Sequence, residues 1–481
     1  MTIASTDIKY RKAVQQTDTA ANGGRKGSIQ VISGARHALF PRVTKSQRTA
    51  GLQRWRKEFW SNENADDEAG SGVMVFLMRP SNAEDRFYLA KGTQQDIQSA
   101  FNRDDYSYAR VWMGCGQLQT ALNGGESAVA LTMENNDYQF PNGGYLYLSD
   151  NTMNTQTIVT TGANGAKIGD SVTFSAGSWS KIAHTDDITY PNGWMVGAAS
   201  VLTIQPTTNE EFLEIATNQY EDEDIGTGAT GNATPELTTL AHVTNGICRQ
   251  PDWLPVVTAI CGGVTRTVNV DADGACTGYC SAGTLNMANG VWTTDITWTT
   301  APDNGTDITI TYCENAWAWS GNVATVSLAG TVANAYTTAA TFGSGCVYED
   351  DVACTTEDWA LTSSAGTYDD TTYPVVMFND GTVEETWTGT FSSGSGFSVS
   401  GAYYGSLGVG NTGSDFAPVN PVTGQPYFKL VAAGWGGTLV SGDTFTFKTH
   451  PSAIPLLLEE FVPAGCAAEP NNLLPIGSYT E

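Results

Sequence analysis

The chain has 481 residues, 41% of them hydrophobic, and a formal net charge of −27. This length allows roughly three domains of ordinary size. The hydrophobic content is sufficient for real cores, which excludes a wholly disordered chain. So acidic a surface repels nucleic acid and anionic membranes over most of its area. Fifty-two glycines among many Thr, Asn, Ser, Val, Tyr and Trp residues are typical of short strands joined by tight turns. We therefore expect a mostly β fold.

Residues 1–60 differ from the rest of the chain because they are basic. They contain twelve of the twenty-three lysines and arginines. The segment has one apolar stretch and little material for a core of its own. We therefore expect an N-terminal extended arm that docks on an acidic neighbouring subunit, in preference to nucleic acid. Aromatic side chains and arginines often anchor such contacts. The predicted subunit contact consists of Arg54, Trp55, Arg56 and Trp60.

Residues 61–205 are predicted to form a β-rich domain, all-β or α+β, with a short helix at Gln94–Phe101. Residues 206–262 are predicted as an acidic helix followed by a linker. Glu210 and Glu211 would lie favourably in the first turn of this helix. A run rich in Gly, Ala and Thr after it indicates a flexible connector.

Residues 263–350 are predicted to form a β-sandwich-like domain. Val264–Val270 alternates in the manner of a half-buried strand, and Asx-Gly turns separate it from the following strands. Residues 351–481 repeat this pattern and predict a second β-sandwich-like domain. The five prolines of Pro451–Glu481 favour an extended C-terminal tail lying on the fold or on a neighbour.

The nine cysteines leave three interpretations open. Eight of them fall between Cys248 and Cys466, which is unusual for a reduced cytosolic enzyme. The spacings do not match a zinc knuckle. Disulfides and buried free thiols remain the main alternatives, with metal binding as the third. The candidate disulfides are Cys276 with Cys280, and Cys346 with Cys354.

No catalytic motif is present in the sequence. H-E-x-x-H, G-x-S-x-G and the Walker phosphate loop are absent, and the four histidines are far apart. We therefore expect no enzymatic activity, no cofactor and no metal site. A carboxylate pair that cleaves glycosides has no sequence spacing to detect, so that chemistry stays open as an alternative.

Parts of the chain resemble virion structural proteins from the tail modules of long-tailed bacteriophages, notably Mu-like siphophages. The resemblance covers about a third of the chain and includes no catalytic signature. It implies a tail or baseplate component. The segments that carry it are Thr17–Gly24, Ile32–Gly34, Leu39–Pro41, Arg54–Lys57, Gly442–Pro451 and Val462–Gly465.

These observations predict a virion structural subunit that is assembled in the host cytoplasm, since the N-terminus lacks the apolar region of a signal peptide. Its partners would be other virion proteins and further copies of itself in a symmetric assembly, with no membrane and no nucleic acid. One alternative is a carbohydrate-binding or depolymerising tail-associated β-protein that touches host surface glycan. Exposed Trp317 and Trp319 near carboxylates would favour it. The second alternative is a capsid decoration protein.

Overall fold

The structure is a computed structural model that describes residues 3–480 apart from 34, 36, 82, 151–154, 162–166, 174–200, 205–208, 470, 471 and 473. Antiparallel strands dominate this part of the chain, which confirms the mostly β, sandwich-like fold class. Its α-helical content is one short segment, α1 (Lys45–Ala50). None of the helices in the described ranges is long and apolar enough to span a bilayer.

The strands follow one another closely along the chain. In order, they are β1 Ile8–Gln15, β2 Gly23–Gln30, β3 Leu52–Asn62, β4 Gly70–Leu77, β5 Arg86–Lys91, β6 Cys115–Leu118, β7 Ala128–Thr132, β8 Tyr145–Ser149, β9 Thr155–Thr161, β10 Lys167–Thr173, β11 Val201–Ile204, β12 Glu210–Glu214, β13 Asn218–Thr227, β14 Val256–Cys261, β15 Val264–Val270, β16 Cys276–Gly278, β17 Cys280–Asn286, β18 Val291–Trp298, β19 Asp307–Glu314, β20 Trp317–Ser320, β21 Val323–Ser327, β22 Phe342–Val352, β23 Thr355–Thr362, β24 Ala365–Tyr368, β25 Glu385–Phe391, β26 Gly396–Gly401, β27 Gly405–Asn411, β28 Trp435–Thr438, β29 Thr444–His450, β30 Ala453–Val462 and β31 Ile476–Tyr479. Short 3-10 helices occur at Gln98–Ala100, Tyr106–Tyr108, Pro251–Trp253 and Ala432–Gly434.

The first and last parts of the chain build one body from two sheets. A five-stranded sheet has the order β2-β1-β3-β30-β5, and a larger sheet has the order β12-β8-β22-β6-β7-β21-β20, with β4 and β31 joined to it through β22. One face of the five-stranded sheet packs Trp60, Leu456 and Leu458 into a core. The other face contributes Tyr88 and Leu457 to a second core. The middle strands of this sheet are therefore interior.

Residues 1–60 are thus not the extended arm that the composition predicts. Three of the five strands of this sheet come from them, and Trp60 pairs with Tyr10 on one side and Ile454 on the other. The apolar partner that the segment lacks locally is β30, almost four hundred residues later in the chain. The C-terminal residues are likewise not only an extended tail, because they contribute β30 and β31 to the first body.

A second unit, Asn218–Glu314, contains a five-stranded sheet of order β13-β19-β14-β15-β16 and the hairpin β17-β18. Val268, Ile296 and Trp298 are buried between them. This sandwich-like unit begins before residue 263 and ends before residue 350. Strands β20, β21 and β22 return to the first body.

The third unit, Thr355–His450, contains a five-stranded sheet of order β23-β29-β25-β26-β27 and the pair β24-β28. Its core is aromatic and includes Trp387, Phe397 and Phe445. Strict alternation of buried and exposed residues along β25 places these rings on one face of the sheet. The other face is open to solvent.

The two helices predicted from the sequence are wrong in the described residues. The segment predicted as an acidic helix forms β12 and β13, since Leu213 and Ile215 are buried two positions apart, the period of a strand. The acidic run of that segment lies on β13, an edge strand. Within Gln94–Phe101 the structure has only the 3-10 turn Gln98–Ala100. The rest of the predicted 61–205 domain lies partly outside the described residues.

Candidate functional site

The residues predicted to contact another subunit are engaged inside this chain. The Arg54 guanidinium forms a buried ion pair with Glu460 on β30. Arg56 Nη1 lies 2.7 Å from Asp18 Oδ1, and the Trp55 indole N–H donates to Glu459 at 3.1 Å. Trp60 has no exposed surface. In this structure Arg54, Arg56 and Trp60 therefore stabilise the first body and are not available as contact side chains.

A second ion-pair network reaches the same C-terminal strand from the opposite face of the sheet. Arg103 pairs with Asp137, and its Nε lies 3.2 Å from Oε1 of the fully buried Glu459. Its guanidinium also stacks 4.2 Å from the centre of the Tyr88 ring. Burial raises the pKa of Glu459. These carboxylates were not among the residues predicted from the sequence, although the pair Glu459-Glu460 inside an apolar strand indicates a basic partner.

The basic surface of β2 has its acidic neighbour within the chain as well. Arg25 lies 3.4 Å from Glu385 of the third unit and stacks 4.5 Å from the centre of the Tyr403 ring. Gln95, in the first body, donates to Glu384 at 3.0 Å. The acidic partner expected on another subunit is thus supplied at least in part by the third unit of the same chain.

A shallow cleft of about 210 Å³ opens on the third unit beside the Trp359 ring. It is smaller than the ~300–1,000 Å³ of ordinary small-molecule sites. The lining residues are Thr356, Glu357, Asp358, Trp359, Asp370, Pro374, Val375 and Phe447.

Two carboxylates of this cleft, Glu357 and Asp358, contact Lys448 on the neighbouring strand β29, and Glu357 also lies near His450. Lys448 Nζ lies 3.1 Å from Glu357 Oε1 and 2.7 Å from Asp358 Oδ2, and these two carboxylates raise the pKa of Lys448. His450 Nδ1 lies 2.7 Å from Glu384 Oε2, and its Nε2 lies 3.4 Å from Glu357 Oε1. This geometry is that of an ion-pair network. Within the described residues, no group of three or more His, Cys, Asp or Glu side chains is arranged to hold a metal ion.

The tryptophans that would mark a sugar platform are mostly buried. Trp317 is 8% exposed and belongs to the main core of the first body, and Trp319 packs against that core. This position does not favour the carbohydrate-binding alternative at these two residues.

All nine cysteines are free thiols in the structure. The structure thus does not contain the bridges Cys276–Cys280 and Cys346–Cys354, which stay predictions for the oxidised protein. Cys276 and Cys280 lie near each other at the junction of β16 and β17, and burial raises the pKa of Cys276 to about 12. Cys346 is buried on β22, whereas the Cys354 sulfur accepts a hydrogen bond from the backbone of Ser452. Cys346 and Cys354 thus have separate surroundings in the structure.

The third unit presents a surface without charge. No Asp, Glu, Lys, Arg or His occurs anywhere in Thr386–Ser414, which covers β26, β27 and all of β25 except its first residue, the buried Glu385. Cross-strand pairs align the exposed side chains in rows, for example Thr390 with Ser398 and Ser398 with Val409. Val409 is 82% exposed. We call this surface the uncharged face; its exposed members are Thr386, Thr388, Thr390, Ser398, Ser400, Ser406 and Val409.

Comparison with protein-family models gives no match, and comparison with curated proteins gives none. Comparison with solved structures gives a chain described as "Structure of infectious bursal disease virus Gt strain". Its identity to this chain is 11%, over 86% of this chain and 82% of that chain, with a TM-score of 0.09. At that TM-score the likeness carries no argument about fold or function.

Proposed function

We propose that this chain is a structural subunit of the tail or baseplate of a bacteriophage virion and that it assembles through protein–protein contacts. The observation that carries the proposal is the uncharged face on an otherwise strongly acidic chain. Interface cores are depleted in charged residues relative to the rest of a protein surface. The bacteriophage assignment itself comes from the sequence resemblance.

The filled interiors of the three units support the same proposal. Each unit is packed with its own aromatic and aliphatic side chains. Two clefts in the described residues have volumes of only about 210 and 70 Å³. A β scaffold with packed cores and a neutral outer face suits a subunit whose task is to hold a place in an assembly.

The test is to locate the protein in purified particles. Density-gradient-purified virions should yield peptides of this chain by mass spectrometry at a fixed ratio to other virion proteins. Gold-labelled antibodies against Thr355–His450 should decorate the tail or baseplate. Label on the head would favour the capsid decoration alternative. Presence in the lysate but absence from gradient-purified particles would contradict the proposal.

The second candidate function is binding or cleavage of host surface glycan, and the cleft beside Trp359 is the observation that favours it. Its carboxylates and indole ring are the groups that such sites use. Incubating the protein with host surface polysaccharide and measuring new reducing ends tests it. Release that is abolished by Glu357→Gln, but not by Glu221→Gln on the acidic edge strand β13, would establish the glycan function.

A further inference from the structure

We propose that two copies of this chain associate through β27, pairing edge to edge and antiparallel, with the two Val409 residues opposite each other. The inference deepens the proposed function, since it names one partner and one contact of the assembling subunit. It depends on the geometry of β27 and not on the identity of the assembly.

Strand β27 is the outermost strand of the sheet of the third unit. It pairs with β26 on one side, and no strand of the described chain pairs with its other side. The backbone N–H and C=O groups along such an edge form a template for a further strand. A bulge at Leu407 interrupts the register with β26, so the regular part of this edge is Gly408–Asn411.

Several edge strands of the described sheets carry the charges that discourage pairing, whereas β27, like the shorter edge strands β16 and β20, carries none. The edge strand β13 has four consecutive acidic residues, Glu221–Asp224. The edge strand β2 has Arg25 and Lys26, and β23, at the opposite edge from β27, has Glu357 and Asp358. Charged side chains are the usual protection of a sheet edge against another chain. β27 contains neither a charge nor a proline.

The charge of the protein indicates that the partner is a second copy. Two chains that each carry a net charge of −27 repel each other over most of their surfaces. The uncharged face is where they can approach without placing like charges together. A basic partner would instead be drawn to the acidic surfaces such as β13. Because a two-fold interface uses the same patch twice, a neutral edge is self-complementary.

The pleat of the strand fixes the pairing at Val409. Residues directly opposite each other in an antiparallel pair point to the same face of the sheet. A two-fold axis perpendicular to the sheet therefore lies midway between the two copies of one residue. We place this axis between the two copies of Val409 because Val409 lies in the regular part of the edge, Gly408–Asn411. This placement also joins the uncharged faces of both copies into one continuous surface, in which two side chains that are each 82% exposed cover one another.

The experiment measures self-association of the full chain by sedimentation velocity over a wide range of concentration. The wild-type chain should show a concentration-dependent dimer that persists in high salt, since the contact is uncharged. Val409→Lys should weaken association by at least about tenfold, because two lysines directly opposite each other repel. Val264→Lys is the matched control, since Val264 is 50% exposed and lies on β15 in the second unit.

A cysteine variant tests the position of the axis. The thiols of Val409→Cys in two associated copies should form a disulfide when oxidised glutathione accepts their two electrons and protons, giving a covalent dimer on a non-reducing gel. Val264→Cys and the wild-type chain should not give this product. A wild-type chain that stays monomeric at all concentrations, or a Val409→Lys chain that associates like the wild type, would overturn the proposal. If the wild-type chain is monomeric but Val409→Lys is excluded from particles, the partner of β27 is another protein. A wild-type dimer that is absent from particles would instead remove the proposed function and leave this contact standing.

Discussion

Replacing Glu58 with glutamine should change how the stability of the protein depends on pH. Glu58 lies on β3, is 1% exposed, and its Oε1 atom has no hydrogen-bond partner. Burial raises its pKa to about 8, although Lys12 on the neighbouring strand acts in the opposite direction. The folded protein therefore keeps this carboxyl group neutral at pH 7, whereas in the unfolded chain the group ionises with the ordinary glutamate pKa of 4.5.

The sign and the size of the effect follow from these two pKa values. The folded state binds the proton more tightly, so this contribution to stability is complete below pH 4.5 and is lost as the pH rises to about 8. At about 1.4 kcal/mol for each pH unit, the total loss has an upper limit of about 5 kcal/mol. Glutamine has the shape of the neutral acid and does not titrate. We therefore expect Glu58→Gln to gain stability relative to the wild type by about 3–5 kcal/mol between pH 5 and pH 8.5.

The assay should report on β3 alone, because the chain has three packed units and is not expected to unfold in one step. Hydrogen exchange of peptides covering Leu52–Asn62, measured over a series of urea concentrations, gives the opening free energy of this strand. Glu221→Gln on the edge strand β13 is the control and should leave that free energy unchanged. Parallel stability curves for the wild type and Glu58→Gln from pH 5 to pH 9 would refute the reasoning.

Three further predictions concern buried groups. Burial lowers the pKa of Lys57 to about 7 from the ordinary value of 10.5, so between these pH values the unfolded chain binds a proton that the folded protein does not. Lys57→Met should therefore stabilise the protein by ~2 kcal/mol or more at pH 7, and by progressively less as the pH rises to 10. The same exchange assay measures this effect. Arg54→Ala should cost about 3–5 kcal/mol because it leaves Glu460 buried without its cation, whereas Arg54→Met combined with Glu460→Leu should cost much less. The same exchange assay on Leu52–Asn62 measures both losses, and equal losses in the single and double variants would contradict this prediction. Iodoacetamide at pH 8 should first modify the partly exposed Cys280 and Cys466. The buried Cys115 and Cys346, whose thiol pKa is raised by burial, should stay unmodified until the protein unfolds. Mass spectrometry of the adducts measures this order, and an early adduct on Cys346 would contradict it.

The sequence predicted the strands where burial alternates locally. Val264–Val270 is a strand with those bounds, and the alternating segments of the third unit are strands as well. Alternation reports on one strand and its own two faces, so it can be read without knowledge of the rest of the chain. The helix predicted at Glu210–Glu214 was wrong because its glutamates favour a helix locally. The two-residue spacing of Leu213 and Ile215, which are buried in the first body, is instead that of a strand.

The division of the chain into units could not be predicted in this way, because it depends on strand pairs far apart in sequence. β3 has β30 as its neighbour, and β22 pairs with β4, β6 and β8, which all lie far earlier in the chain. No local pattern in residues 1–60 encodes that pairing. Their lack of a core was real, but the missing half of that core came from the same chain.

The charge pattern of the first sixty residues shows why a composition argument can indicate the right chemistry and the wrong partner. A basic segment on an acidic chain does require acidic neighbours, and the structure supplies Glu460 to Arg54 and Glu385 to Arg25. Such pairing inside the fold joins Arg54 and Arg56, which were predicted to bind another subunit, to carboxylates of the same chain. The acidic surfaces would attract a basic partner, whereas a second copy of this acidic chain can approach at the uncharged face. The search for contacts therefore moves from the N-terminal strands to β27, where the sequence offers neither a salt bridge within the chain nor a charge that would keep a second copy away.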